Sequence, residues 1–316
     1  MDYATWIVLS FVLSWASYHG VEQVFRKQQN ISNARFYMLG IPIILLVLAF
    51  ASKVPAYEGF PDRFTALQTY YGPAEMDNKI LQAEVKQYRF SKPYQNYIKK
   101  IYAKDRSDKP HVLIVGDSHG RDLFNAFWLN RGLYEGEHTF EVYIHHGEAD
   151  ETPEFLDSDN LKKADIVILS FRYTHKKELR NNHLSALISE LKLRDKTILV
   201  CGTNMEFPRQ ANKELFDTVI SEYAQKEEFI KPHTINKYFF NRRNKSIEKI
   251  NSNIQQICLS HQVPYLDKVS LICDDQTCKG STPKGQKTYY DPSHWTVDGA
   301  RFFGKKIKKK KWLLNN

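Results

Sequence analysis

A serine at position 118 closes one short stretch of the chain, and an aspartate and a histidine stand three residues apart at 291 and 294 in another. These are the residue types that acyl transfer through a serine needs: a hydroxyl to attack, an imidazole to take its proton, and a carboxylate to fix the ring. Ser118 lies in HVLIVGDSHGRD (111–122), where a continuous apolar run ends at Gly116. That is how a buried parallel strand ends before a turn. Leu123, Phe124, Phe127 and Trp128 then recur at helical spacing as a core stripe. Ser118 therefore opens a helix, whose unpaired first-turn N–H groups favour a developing negative charge. Asp117 or Ser118 would also serve as an ordinary helix cap, so the serine alone decides nothing.

In YYDPSHWTVDGA (289–300), Asp291 is placed to accept from one ring nitrogen of His294, leaving the other to take the proton of Ser118. His119 is the rival base. It ranks below His294 because adjacent residues on a helix point apart. His145, His146 and His175 have no aspartate at useful spacing and read as loop or surface residues. Asn204, in CGTN, is a candidate oxyanion donor through its amide, and Arg172 a weak candidate for holding a substrate hydroxyl or carboxylate. Each also has a plain reading, as a turn residue and as an ion-pair partner.

The elements that must position these groups alternate strand and helix from residue 111 onward. Apolar runs at 111–116, 140–146, 164–171, 196–202 and 263–266 read as strands. Amphipathic segments at 183–194, 212–228, 245–261 and from 297 to about 310 read as helices. The pattern predicts a three-layer α/β/α domain on a parallel sheet. In such sheets ligands bind beyond the carboxyl ends of the strands. Ser118, the segment after Phe171 and Asn204 all follow such ends.

Composition sets further bounds. The 316 residues are 42% hydrophobic and 26% charged, ordinary for a globular chain, with a net charge of +9. The densest basic run, KKIKKKK (305–311), reads as a solvated helix end, and no nucleic-acid-recognition motif accompanies it. Residues 3–21 and 36–52 carry no Asp, Glu, Lys or Arg. Each approaches the length needed to cross a bilayer. Arg26, Lys27 and Arg35 lie between them, against Glu22 alone, which places the connecting loop in the cytoplasm and everything after about residue 53 outside it. The expected organisation is two transmembrane helices (1–53), a stalk or linker with one or two short helices (54–110), and a catalytic domain (111–316). Cys273 and Cys278, five positions apart in a polar loop, suit a small disulfide in an oxidising compartment. A zinc half-site there lacks a second ligand pair, so no metal is expected. Cys201 and Cys258 read as core thiols.

Three blocks carry a resemblance. Gly116-Asp117-Ser118-His119, Gly202-Thr203-Asn204 and Asp291-Pro292-Ser293-His294 resemble the first block, the Gly-x-Asn block and the Asp-x-x-His block of the SGNH (GDSL-like) hydrolases, which implies a flavodoxin-like sheet. The GDSH block, with a cysteine pair upstream of YYDPSHWT, resembles the SGNH domain fused to membrane acyltransferases of the third family, the O-antigen and peptidoglycan O-acetylase type. Ser17, Tyr18, Glu22 and Arg26 resemble the closing helix of that membrane domain.

The resemblance implies Ser118 as nucleophile, His294 as base, Asp291 as its orienter, and an oxyanion hole of the Ser118 N–H and Asn204. Gly147 is a weak candidate for the second-block glycine. No cofactor is implied. The implied partners are an acyl donor delivered across the membrane and a cell-surface glycan acceptor. Most of the family's membrane helices have no counterpart here, so the chain is expected to be either a truncated product or half of a split system needing a membrane acyltransferase subunit. An esterase with water as acceptor and a non-catalytic remnant are the alternative expectations.

Overall fold

The computed structural model describes scattered positions between 11 and 52, then residues 78–102 and 109–313 apart from 135, 175–176, 211–212 and 225–229. The chain divides into two units, residues 1–61 and 62–316. The apolar runs at 3–21 and 36–52 lie largely outside the described residues. Among the described residues, no helix is long and apolar enough to cross a membrane.

In the second unit, helices α1 (Asn78–Gln87) and α2 (Lys92–Tyr102) precede β1 (His111–Gly116), α3 (Ser118–Leu129) and β2 (Thr139–Ile144). The short helices α4 (Thr152–Asp157) and α5 (Asp159–Lys163) lead to β3 (Ile166–Leu169), α6 (Lys177–Lys192) and β4 (Thr197–Cys201). Then come α7 (Leu215–Ala224), α8 (Pro232–Asn241), α9 (Ser246–Ser260), β5 (Tyr265–Leu266), α10 (Val269–Ile272) and α11 (Val297–Lys309). The five strands are all parallel, in the order β2-β1-β3-β4-β5. This is the parallel α/β sheet expected from the alternation, in the flavodoxin-like order that the resemblance implies. Central strands of such a sheet are covered on both faces, which is why Val112 to Val115 form an uninterrupted apolar run and have no exposure.

The helices expected within the stalk pack onto the domain. β2 is an edge strand, with outward N–H groups that need partners. The Tyr97 and Tyr94 hydroxyls of α2 accept from the N–H groups of Phe140 (2.9 Å) and Val142 (3.4 Å). Tyr94 also meets Phe124 and Trp128 edge-on, at 4.9 and 5.2 Å between ring centroids. Leu81 and Val85 of α1 are buried with Tyr290 and Val297, and Asn125 donates to the Val85 carbonyl at 2.9 Å. Each such apolar side chain contributes about 1.5–3 kcal/mol on burial. A polar anchor completes the seam: Lys287, 2% exposed, donates to Asn78 (2.7 Å) and Asp217 (2.5 Å).

Candidate active site

The turn from β1 into α3 is shaped by close approach. A Cβ on Gly116 would lie 2.0 Å from the Ser170 carbonyl oxygen at the end of β3, so only glycine fits. Sequence reasoning assigned Gly116 a sharp turn; its backbone has no left-handed φ, and the requirement is proximity of the neighbouring strand. Asp117 is the N-cap of α3. Its carboxylate accepts from the His119 N–H at 2.9 Å and from the Arg172 N–H at 3.0 Å, tying the start of α3 to the segment after β3. Ser118 is thereby delivered to the carboxyl end of the sheet in the first turn of α3.

The loop before α11 is pinned from several sides. Tyr289 and Trp295 form an antiparallel bridge, and Tyr290 N–H donates to the His294 carbonyl at 3.2 Å. Phe207 N–H donates to the Pro292 carbonyl at 2.8 Å, and Trp295 N–H to Asp122 Oδ2 of α3 at 3.0 Å. Thr296 then caps α11 by accepting from the Gly299 N–H at 2.9 Å. Proximity of backbones recurs here too: a Cβ on Gly299 would lie 2.2 Å from the Thr288 carbonyl oxygen.

This packing brings together side chains 176 positions apart. His294 Nε2 lies 2.7 Å from Ser118 Oγ, and His294 Nδ1 lies 2.7 Å from Asp291 Oδ2. Asp291 Oδ1 accepts from the N–H groups of Ser293 (2.9 Å) and His294 (2.8 Å). An ionised Asp291 is an acceptor only, so Nδ1 carries the proton and Nε2 is left to accept from the Ser118 hydroxyl. Burial alone would raise the Asp291 carboxyl. The His294 hydrogen bond and charge and the two backbone N–H groups outweigh it and hold the group below its ordinary value. Burial alone would lower His294, but the Asp291 hydrogen bond and the charges of Asp122 and Asp291 raise it above its ordinary value. The Tyr290 ring stacks on His294, 5.7 Å between centroids and 10° from parallel.

The other candidates divide. Asn204 is fully buried and its amide donates to the Ser293 carbonyl at 3.2 Å, which places it against the Asp291–His294 loop. The same amide has a second proton to offer. Gly147 has φ 78° and donates its N–H to His145 Nδ1 at 2.9 Å, so any oxyanion contact from it requires that bond to open. Arg172 pairs through Nε with Glu206 Oε1 at 2.8 Å, an acid that also accepts from Thr174 at 3.0 Å. His119 is fully buried, with Nδ1 3.4 Å from Thr203 Oγ1 and its ring edge-on to His294 at 5.4 Å.

His145 lies in the loop after β2, as read from the sequence, but not at the surface. It has no exposure, its ring meets Phe155 and Phe171, and burial lowers its pKa to about 4. His146 is exposed and bonds Glu151 at 2.6 Å, while His175 lies outside the described residues. Cys273 and Cys278 are joined in a disulfide, and Cys201 and Cys258 are buried free thiols that burial raises to about 12. No metal-binding cluster occurs among the described residues.

Sequence reasoning missed Asp122, Arg121 and Tyr290. Asp122 is 1% exposed and carries the Trp295 N–H; Arg121 donates to Tyr290 Oη at 3.2 Å. The available signal was spacing: Asp122 lies one helical turn beyond Ser118, on the same face of α3.

A parallel α/β sheet with serine, histidine and aspartate linked at its carboxyl edge defines an SGNH-type ester-handling domain. The family model for the SGNH domain fused to AT3 domains matches residues 144–309, and the chain belongs to that family. The matched residues hold Gly147, Asn204, Asp291 and His294; Ser118 precedes them. Among solved structures, the periplasmic domain of a lipopolysaccharide acetyltransferase from Salmonella ser. Paratyphi A is similar, at 18% identity and a TM-score of 0.53, covering 68% of this chain and 88% of that one. A GDSL-like lipase from Bacteroides thetaiotaomicron matches at 14% identity and a TM-score of 0.40, covering 69% and 96%. A catalytic mutant of an acetylxylan esterase from Geobacillus stearothermophilus matches at 13% and 0.39, covering 67% and 100%. No curated protein matches the chain.

Proposed function

We propose that this chain is an extracytoplasmic O-acyltransferase that moves an acyl group, acetyl in the leading case, onto a cell-surface polysaccharide through a Ser118 acyl-enzyme. The 2.7 Å approach of His294 Nε2 to Ser118 Oγ, with Asp291 behind the ring, carries this reading. Ser118 Oγ attacks the acyl carbonyl as its proton passes to His294 Nε2. The Ser118 N–H and the Asn204 amide receive the oxyanion. Collapse of the tetrahedral intermediate expels the donor oxygen, which takes the proton back from His294. An incoming hydroxyl then loses its proton to His294 and attacks the acyl-enzyme; the second tetrahedral intermediate collapses by breaking the bond to Ser118 Oγ, which takes the proton back from His294 and completes transfer. Asp291 fixes the ring and stabilises the imidazolium throughout.

Family membership and the lipopolysaccharide acetyltransferase similarity support a glycan acceptor and an extracytoplasmic domain. The two apolar runs with their basic connecting loop support anchoring through residues 1–53, with residues 54–110 leading to the domain. The fusion of this domain family to AT3 domains supports delivery of the acyl donor across the membrane by a membrane acyltransferase.

Ser118→Ala tests the nucleophile: it abolishes turnover of an acetyl ester while the fold persists, and equal turnover by the variant refutes the assignment. The second reading, a carbohydrate acetylesterase, is favoured by the partial exposure of Ser118, which leaves the hydroxyl open to water. Product analysis with and without a glycan acceptor separates the two: transfer gives an acetylated glycan, hydrolysis only free acid.

A further inference from the structure

Asp122 is a carboxylate that the reaction scheme does not use, and it is 1% exposed in the second turn of α3. A charge is expensive to bury without partners. Its Oδ2 accepts from the N–H of Trp295, the residue immediately after His294, at 3.0 Å, and its Oδ1 lies 3.6 Å from the Arg121 guanidinium. One carboxylate therefore joins the helix that bears Ser118 to the loop that bears His294.

We infer that Asp122 is a positioning residue for the Ser118–His294 pair, acting in two ways. It fixes the spacing between α3 and the loop through the Trp295 N–H, and it is a second negative charge that favours the protonated imidazole formed in each half-reaction. The groups facing His294 are Asp291 on its own loop, His119, Arg121 and Asp122 on α3, and the stacked Tyr290. Asp122 and Asp291 support the charge, Arg121 opposes it, and Lys268, which follows β5 and donates to Ser170 Oγ at 2.7 Å, interacts electrostatically with Asp122. Burial raises the Asp122 carboxyl, and the His294 charge, the Arg121 guanidinium and the Trp295 N–H act against that rise.

The inference rests on Ser118 and His294 being the reacting pair, so the test includes a readout that needs no reaction. The full chain is labelled with ¹⁵N at histidine, and His294 is identified by the signal lost in His294→Gln. Asp122→Asn keeps an oxygen for the Trp295 N–H and removes the charge. The His294 titration then moves to lower pH and the acid limb of kcat/KM moves with it. KM stays within about two-fold, while kcat falls about ten-fold, less than the roughly 10²- to 10⁴-fold of a lost general base because Asp122 acts through His294 and transfers no proton itself.

Arg121→Gln moves the same titration to higher pH, which keeps the test available should Asp122→Asn fail to fold. A His294 titration unmoved in either folded variant overturns the inference. A shifted titration in a protein whose Ser118→Ala variant turns over normally leaves the Asp122 coupling standing and refutes the reaction scheme instead.

Discussion

Asp291 does two jobs with two oxygens: Oδ2 meets the His294 ring, and Oδ1 holds the Ser293 and His294 N–H groups. Asp291→Asn keeps the size but offers an N–H where an acceptor is needed, so His294 is driven to the wrong tautomer. Turnover of an acetyl ester should fall by roughly 10²- to 10⁴-fold, the range of a general-base contribution, with little change in KM. The pH dependence has a fixed sign. His294 must be neutral to act as base, and its folded pKa is raised above its ordinary 6.5. kcat/KM should therefore decline as pH falls through a midpoint above 6.5; a midpoint at or below that value contradicts the assigned environment. The lowered carboxyl of Asp291 gives stability that is present above its ordinary value of 3.8 and is lost as pH falls through the lower folded value. The raised His294 contributes below 6.5 and loses that contribution as pH rises through its folded value. Ser118, Asp291 and His294 could be picked from the chain because a serine reaction needs those types at those contexts. For Asp122 the spacing from Ser118 offered only the shared helix face; its contact with the Trp295 N–H depends on how the fold lays the loop against α3.

Between residues and domain, the helices and strands bring the chemistry together through close backbone contact. Gly116→Ala puts a methyl 2.0 Å from the Ser170 carbonyl and forces β1 and β3 apart where Ser118 is presented. Denaturant unfolding should show a loss of about 1–3 kcal/mol or more, as overpacking does, with a larger loss of turnover than of stability. Val85, 1% exposed, clamps α1 to the residues around Tyr290. Val85→Asp buries an unpaired charge there, so α1 should detach, Tyr290 should lose its support beneath His294, and proteolysis between 78 and 102 should accelerate. The five strands were legible because central parallel strands are continuous apolar runs, and their boundaries fell within a few residues of those expected. The attachment of α1 and α2 to the domain was not. Their tyrosines and amides contact β2, α3 and the 287–290 segment at long sequence separation, and no local period encodes such contacts.

At the scale of the whole molecule, the family and fold place an ester-handling domain in the second unit, and the chain's apolar beginning suggests where it works. If residues 3–21 and 36–52 span the bilayer, the full chain should pellet with membranes and resist alkaline carbonate, and residues after 53 should be cut by protease added to the extracytoplasmic side. Recovery in the soluble fraction would contradict the anchor. The basic run at 305–311 reads as a solvated helix end because no nucleic-acid-recognition motif accompanies it, but nothing in a single chain distinguishes a sugar hydroxyl from water as acceptor. That choice depends on how the assembled surface around Ser118 excludes solvent. The most direct measurement is mass spectrometry of the peptide bearing Ser118, after brief incubation of the full chain with an activated acetyl ester and acid quench. The account predicts an acetyl group on Ser118 that forms in the wild type, is lost when acceptor is added, and is absent in Ser118→Ala and in His294→Gln. Ester turnover with no acetyl on Ser118, or with acetyl on another residue that survives Ser118→Ala, would contradict it.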